Sequence, residues 1–174
     1  MRIVVISGHG LTGPGAPDPG AGVTPHTEAS WTADLADRVT VRLRALGHEA
    51  GGVEVGTSTQ RLALADAIHP DLVLILHGDA GLPAVYSYPG SVAGNAAAEA
   101  LWKGVADTFP WRVSLRKTSP DGYPRAHGLL ARGRAPAVLL ELVDQRSVED
   151  VAWLTDRLDQ VADAIAGAMP LHGA

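Results

Sequence analysis

The sequence predicts an α/β fold: a single-domain three-layer sandwich whose mixed, mainly parallel sheet carries helices on both faces. Three observations lead there. Four apolar runs, RIVVIS, AGGVEV, DLVLILH and PAVLLELV, read as strands, and three of them are nearly continuous rather than alternating, as expected of strands covered on both faces. Amphipathic helical patterns separate the runs. The resulting alternation of strand and helix is the order that builds a largely parallel sheet through crossover connections.

Each element has its own justification. RIVVIS breaks off at Gly8, His9 and Gly10. The Gly- and Pro-rich GLTGPGAPDPGAG that follows reads as a long loop at the end of a buried strand, where such folds place their sites. A helix is expected from Thr24 as N-cap with Pro25 in first position. Trp31, Leu35, Val39, Leu43 and Leu46 form its apolar stripe, and Gly47 stops it. AGGVEV is the second strand, and TQRLALADAI a shorter helix ending before Pro70. After DLVLILH, PAVYSY reads as a hairpin strand. The helix NAAAEALWKGVADTF is carried by Ala98, Leu101, Trp102, Val105 and Phe109. An irregular stretch leads to PAVLLELV. The last helix starts at Ser147, with Asp150 in the capping-box position, and buries Val151, Leu154, Leu158, Val161 and Ile165. No internal repeat or low-complexity linker interrupts the chain.

Composition narrows the function. A chain of 174 residues is long enough to close one substantial core, and 46% hydrophobic with 19% charged residues is ordinary for a globular protein. The net charge of −5 argues against a partner bound mainly through phosphates, so nucleic acid is not expected. No stretch has the length of a transmembrane span. The N-terminus enters a strand directly, without a basic region, an apolar segment of signal-peptide length or a cleavage-type end. The expectation is synthesis in the cytoplasm without a signal peptide. With no cysteine there is no disulfide and no thiolate nucleophile, and any metal must be held by His, Asp or Glu.

Four residues stand out. His9 follows the first strand, Glu28 sits in the first turns of the first helix, and His77 closes DLVLILH. Glu141 lies inside the apolar run VLLELV, and Glu is almost never buried without a partner. Side chains at strand ends converge on one edge of a parallel sheet. Two imidazoles and one carboxylate form a complete protein shell for a catalytic zinc ion with a position left for water. Such an ion lowers the pKa of its water toward roughly 7, and Glu141 is placed to move that water's proton. Taken singly, three of them also have a plainer reading: His9 and His77 as hydrogen-bonded or solvent-facing strand ends, and Glu28 as a surface carboxylate complementing a helix dipole.

A resemblance decides between these readings. ISGHG, DPGAG, TPHTEASWTADLADRVTVRLRALGHE, LALADAIHPDLVLILHGDA and GLLARGRAPAVLLEL, in this order, are similar to the motifs of the zinc-dependent N-acetylmuramoyl-L-alanine amidases of the type-3 amidase family. The similarity runs from Arg2 to about Leu142. It implies one Zn2+ per chain, with His9, Glu28 and His77 as ligands and Glu141 as catalytic acid/base. The length of the chain and the lack of a wall-binding repeat lead to the expectation of a single catalytic domain over residues 1–174, without a separate wall-binding domain. The substrate implied is peptidoglycan, its stem peptide and glycan, cut at the amide between N-acetylmuramic acid and L-alanine. A chain without an export signal then fits a phage-type lytic enzyme acting on the cell wall. The chain departs from the family at Leu76 and Asp79, where Ile and Asn are usual. VGTSTQR replaces an arginine-bearing segment after the second strand.

The remaining candidates are secondary. Asp79 is placed to orient His77 or to face solvent. His127 is a possible cleft residue, while His26, His48, His69 and His172 read as exposed or turn positions. Arg112, Arg116, Lys117, Arg125, Arg132 and Arg134 form a locally basic stretch, read as a solvated, ion-paired face or as a receiver of stem-peptide carboxylates. Two rival functions are another zinc amidohydrolase or carboxypeptidase acting on small acylated amino acids or peptides, and a catalytically silent peptidoglycan-binding module.

Overall fold

The computed structural model describes residues 1–11, 17–20, 22–23, 26–54, 56–79, 81, 83–117 and 128–169. β1 (Arg2–Ser7) is followed by two small antiparallel ribbons: β2 (Gly10–Leu11) with β3 (Pro17–Asp18), and β4 (Gly22–Val23) with β5 (His26–Thr27). Then come α1 (Glu28–Ala45), β6 (Glu49–Val53), α2 (Ser58–Ala67), β7 (Leu72–Asp79), β8 (Ala84–Ser87), α3 (Val92–Ala106) and β9 (Ser114–Lys117). The chain closes with α4 (Gly128–Arg132), β10 (Ala137–Asp144), α5 (Val148–Thr155) and α6 (Leu158–Gly167).

Six strands form the central sheet in the order β6-β1-β7-β10-β8-β9. The first four run parallel, β8 is antiparallel to β10, and β9 is parallel to β8. Alternation along the strands sorts the side chains into two cores. Ile3 and Val5 of β1, Leu72, Leu74 and Leu76 of β7, and Val138 and Leu140 of β10 pack with α1, α3, α5 and α6. Val4, Ile6, Val73, Ile75, Ala137 and Leu139 face Leu62 and Ala65 of α2 and Leu130 of α4. This is the expected three-layer sandwich.

Several elements differ from the sequence reading. The N-cap of α1 is Thr27, whose side chain accepts from the Ser30 N–H at 3.3 Å. The helix thus starts after β5, later than the Thr24–Pro25 start, and those two residues lie outside the described ones. Leu46 is the C-cap and is exposed, so it leaves the stripe that Trp31, Leu35, Val39 and Leu43 form. PAVYSY does not make a hairpin with β7, because β10 inserts between them. The stretch read as irregular contains β9 and α4. The last helix is two helices, broken at Asp156 and Arg157. Its start at Ser147 stands, with the Ser147 Oγ accepting from the Asp150 N–H at 3.1 Å. His48 is buried, not a surface residue.

Candidate active site

All four singled-out side chains gather at the carboxyl edge of the parallel strands. β1 delivers His9 two residues past its end. β7 ends in His77, Gly78 and Asp79, and β10 lies beside it with Glu141 in register opposite His77. On the period-2 alternation of each strand, His77 and Glu141 share the face of α2 and α4. α1 enters from the other layer and places Glu28 as its first residue.

Glu28 is the hub. It is only 1% exposed, and a buried carboxylate requires partners. Oε1 lies 2.9 Å from His77 Nδ1 and accepts from the Gly78 N–H, also at 2.9 Å. Oε2 lies 3.4 Å from His9 Nε2. The two imidazoles meet edge to face, with centroids 5.1 Å apart. One ligand atom from each of His9, Glu28 and His77 falls within 4.8 Å of the others, so the cluster is able to hold a metal ion. Glu141 is 4% exposed and close enough for its charge to act on His77.

The motif glycines serve this packing. A Cβ on Gly8 would lie 2.8 Å from the Leu76 carbonyl oxygen and 3.0 Å from both Glu28 Oε1 and His77 Cγ. Gly8 is therefore required for close approach. Gly20 of DPGAG combines φ +67° with a Cβ position 2.7 Å from His9 Cδ2 and 2.8 Å from Glu28 Oε2, so a side chain is disfavoured there by both conformation and space.

The secondary candidates separate. His26 is half-buried in β5, outside the metal-capable cluster. His69 is an exposed turn residue at φ +52°. Asp79 ends β7 opposite Asp144, and its side chain is not among the described ones. His127, His172 and Arg125 lie outside the described residues. Arg112, Arg132 and Arg134 are exposed, while only the backbone of Arg116 and Lys117 is described, in β9. Buried polar residues near the site that escaped the sequence reading include Ser7, Arg61 and Gln145. The Thr57–Gln60 capping box marks the start of α2 immediately before Arg61, but nothing local marks Arg61 as buried.

An α/β sandwich with two histidines and two buried glutamates converging at one sheet edge defines the class as a hydrolase with a metal-capable centre. The chain belongs to the N-acetylmuramoyl-L-alanine amidase family, whose model matches residues 3–170, and it is an amidase acting on peptidoglycan. Among solved structures, it is similar to the catalytic domain of CwlV, an N-acetylmuramoyl-L-alanine amidase from Bacillus (Paenibacillus) polymyxa var. colistinus. That likeness has a TM-score of 0.79 at 22% identity and covers 96% of this chain and 94% of that one. The amidase AmiC2 of Nostoc punctiforme gives 0.78 at 21% identity, covering 97% and 94%. The catalytic domain of an endolysin targeting Clostridium difficile gives 0.76 at 20% identity, covering 97% and 96%. At these identities the likeness establishes the fold. No curated protein matches the chain.

Proposed function

We propose that the chain is a zinc-dependent amidase in which His9, Glu28 and His77 bind one Zn2+ and Glu141 is the catalytic acid/base. The bond cut joins the lactyl group of N-acetylmuramic acid to L-alanine. The observation that carries this reading is the register of Glu141 opposite His77 beside the His9–Glu28–His77 cluster. The donors fit zinc: two imidazole nitrogens and a carboxylate oxygen in one small volume is the three-ligand shell of catalytic sites. A bound zinc ion would supply Lewis acidity, polarising the scissile carbonyl and acidifying water.

The remaining steps belong to the protein's own groups. Glu28 orients the shell, since one of its oxygens is engaged by the Gly78 N–H. Glu141 takes a proton from the attacking water and returns it to the departing L-alanine nitrogen. Glu141→Gln keeps the shape and removes the basic oxygen, so it should retain metal while losing about 10²–10⁴-fold in turnover. Wild-type turnover in that variant would show that the base lies elsewhere. Mass spectrometry of digested peptidoglycan tests the bond: stem peptides with a free L-alanine N-terminus and uncut glycan strands are expected. New reducing sugar ends, or cuts within the peptide, would overturn the assignment, since glycan cleavage calls for two carboxylates flanking an acetal.

A further inference from the structure

Arg61 has no part in the chemistry above, yet it is 2% exposed and lies directly behind the His9 loop. Its Nη1 donates to the carbonyl oxygens of Ser7 and Gly8, the second at 3.1 Å, and reaches that of His9 at 3.5 Å. Its Nε donates to the Gly56 carbonyl at 2.7 Å. These acceptors belong to two separate segments: the end of β1 running into the His9 loop, and the turn before α2. The Thr57–Gln60 capping box holds that turn, with the Thr57 N–H donating to Gln60 Oε1 at 2.8 Å.

We propose that Arg61 is a positioning residue that clamps the Ser7–His9 backbone to α2 and thereby aims the His9 imidazole at Glu28 and His77. The argument is geometric. His9 sits in a short turn between β1 and β2, past the last pairing of β1 with its neighbours at Ser7 and Leu76. Its backbone therefore lies beyond the β1–β7 ladder. The fork of a guanidinium donates in several directions from one rigid plane, and an ammonium does not. Charge-assisted bonds to carbonyls are among the stronger ones a buried site can use. Ser7 adds a weaker support, its Oγ donating to the His9 carbonyl at 3.4 Å. The proposal rests on the reading of His9 as a ligand.

The test measures metal binding, not turnover. Zinc affinity of the full chain is determined by chelator competition for wild type, Arg61→Met, His9→Ala and the double variant. Arg61→Met should weaken binding about 10–100-fold, as losses of groups that orient ligands do. In the His9→Ala background the same change should cost less than about 3-fold, because a residue acting through His9 has nothing further to lose. The cobalt-substituted Arg61→Met protein should show the visible spectrum of cobalt-substituted His9→Ala. Equal losses in both backgrounds, or wild-type affinity in a folded Arg61→Met, would overturn the proposal. If Arg61→Met does not fold, Arg61→Lys enters the same cycle, with a smaller loss again confined to the background that keeps His9. Failure of the wild-type chain to bind zinc or cobalt would instead overturn the metal reading and this proposal with it.

Discussion

At the scale of single residues, the coupling of His77 to its surroundings sets a pH dependence. Burial pulls its imidazolium pKa down and is the largest single influence. The hydrogen bond and charge of Glu28, with the charge of Glu141, nevertheless hold it above the ordinary histidine value, while Arg61 opposes them. In the metal-free protein a raised folded pKa adds stability that is complete below the unfolded value of about 6.5 and is lost as pH rises through the folded value. Metal binding needs the neutral ring, so zinc affinity should follow the opposite course and weaken as pH falls through the same range. The check is urea unfolding of the metal-free chain at about pH 6 and about pH 8, compared with His77→Gln. Wild type should lose stability relative to the variant at the higher pH, and a pH-independent difference would refute the coupling.

At the scale of elements, the ends of β7 and β10 depend on each other. The register shifts between Glu141 and Asp144, so three steps of β10 oppose two of β7, a bulge of the kind found beside active sites. Within it Leu142 and Val143 both face the α1 and α6 side. Gln145, 2% exposed, then lies over Gly78, where a Cβ would be 2.1 Å from its Nε2 and 2.9 Å from both Cδ and Cγ. Gly78→Ala should therefore destabilise the chain by about 1–3 kcal/mol through overpacking. Because the Gly78 N–H anchors Glu28, the same change should also weaken metal binding. Gln145→Ala should recover most of the Gly78→Ala cost, which a double-mutant cycle by urea unfolding measures. Strict additivity would show that the two side chains do not compete for this space.

At the scale of the whole molecule, the site joins segments far apart in sequence, so a ligand bound there draws the layers together. Glu28 comes from α1, His9 follows β1, and His77 ends β7. A metal that binds the folded chain alone stabilises it by about 2.7 kcal/mol at a hundredfold excess over Kd. For a domain of this size that corresponds to a rise in Tm of about 5–10 °C. Thermal unfolding with zinc and with a chelator checks this, and coincident melting curves would remove the basis for a zinc centre at these residues. The ion pairs between α1 and α6 should contribute little by comparison. Arg38 bridges Asp34 and Asp159, and Arg42 bridges Asp159 and Asp163, but the carboxylates are exposed and salt screens such pairs.

By itself the sequence determined whatever depends on local pattern. Continuous apolar runs marked buried strands, and i, i+4 spacing from Trp31 to Leu43 marked the face of α1. Glu141 inside VLLELV, with His9 and His77 at strand ends, marked the edge where these side chains gather, because strand ends in a parallel sheet share an edge whatever the strand order. Tertiary structure alone decided what depends on distant partners. The insertion of β10 between β7 and β8 is a choice among pairings that periodicity does not distinguish. The exact helix starts and the break at Asp156–Arg157 turn on caps and packing that the apolar stripe does not encode. The need for glycine at Gly8 and Gly20 shows only once Glu28 is seen against them, and Arg61 does not stand out in the sequence. Its role exists only once α2 is packed behind the His9 loop, because a carbonyl's need for a donor is set by the water that folding excludes, and no local pattern records that.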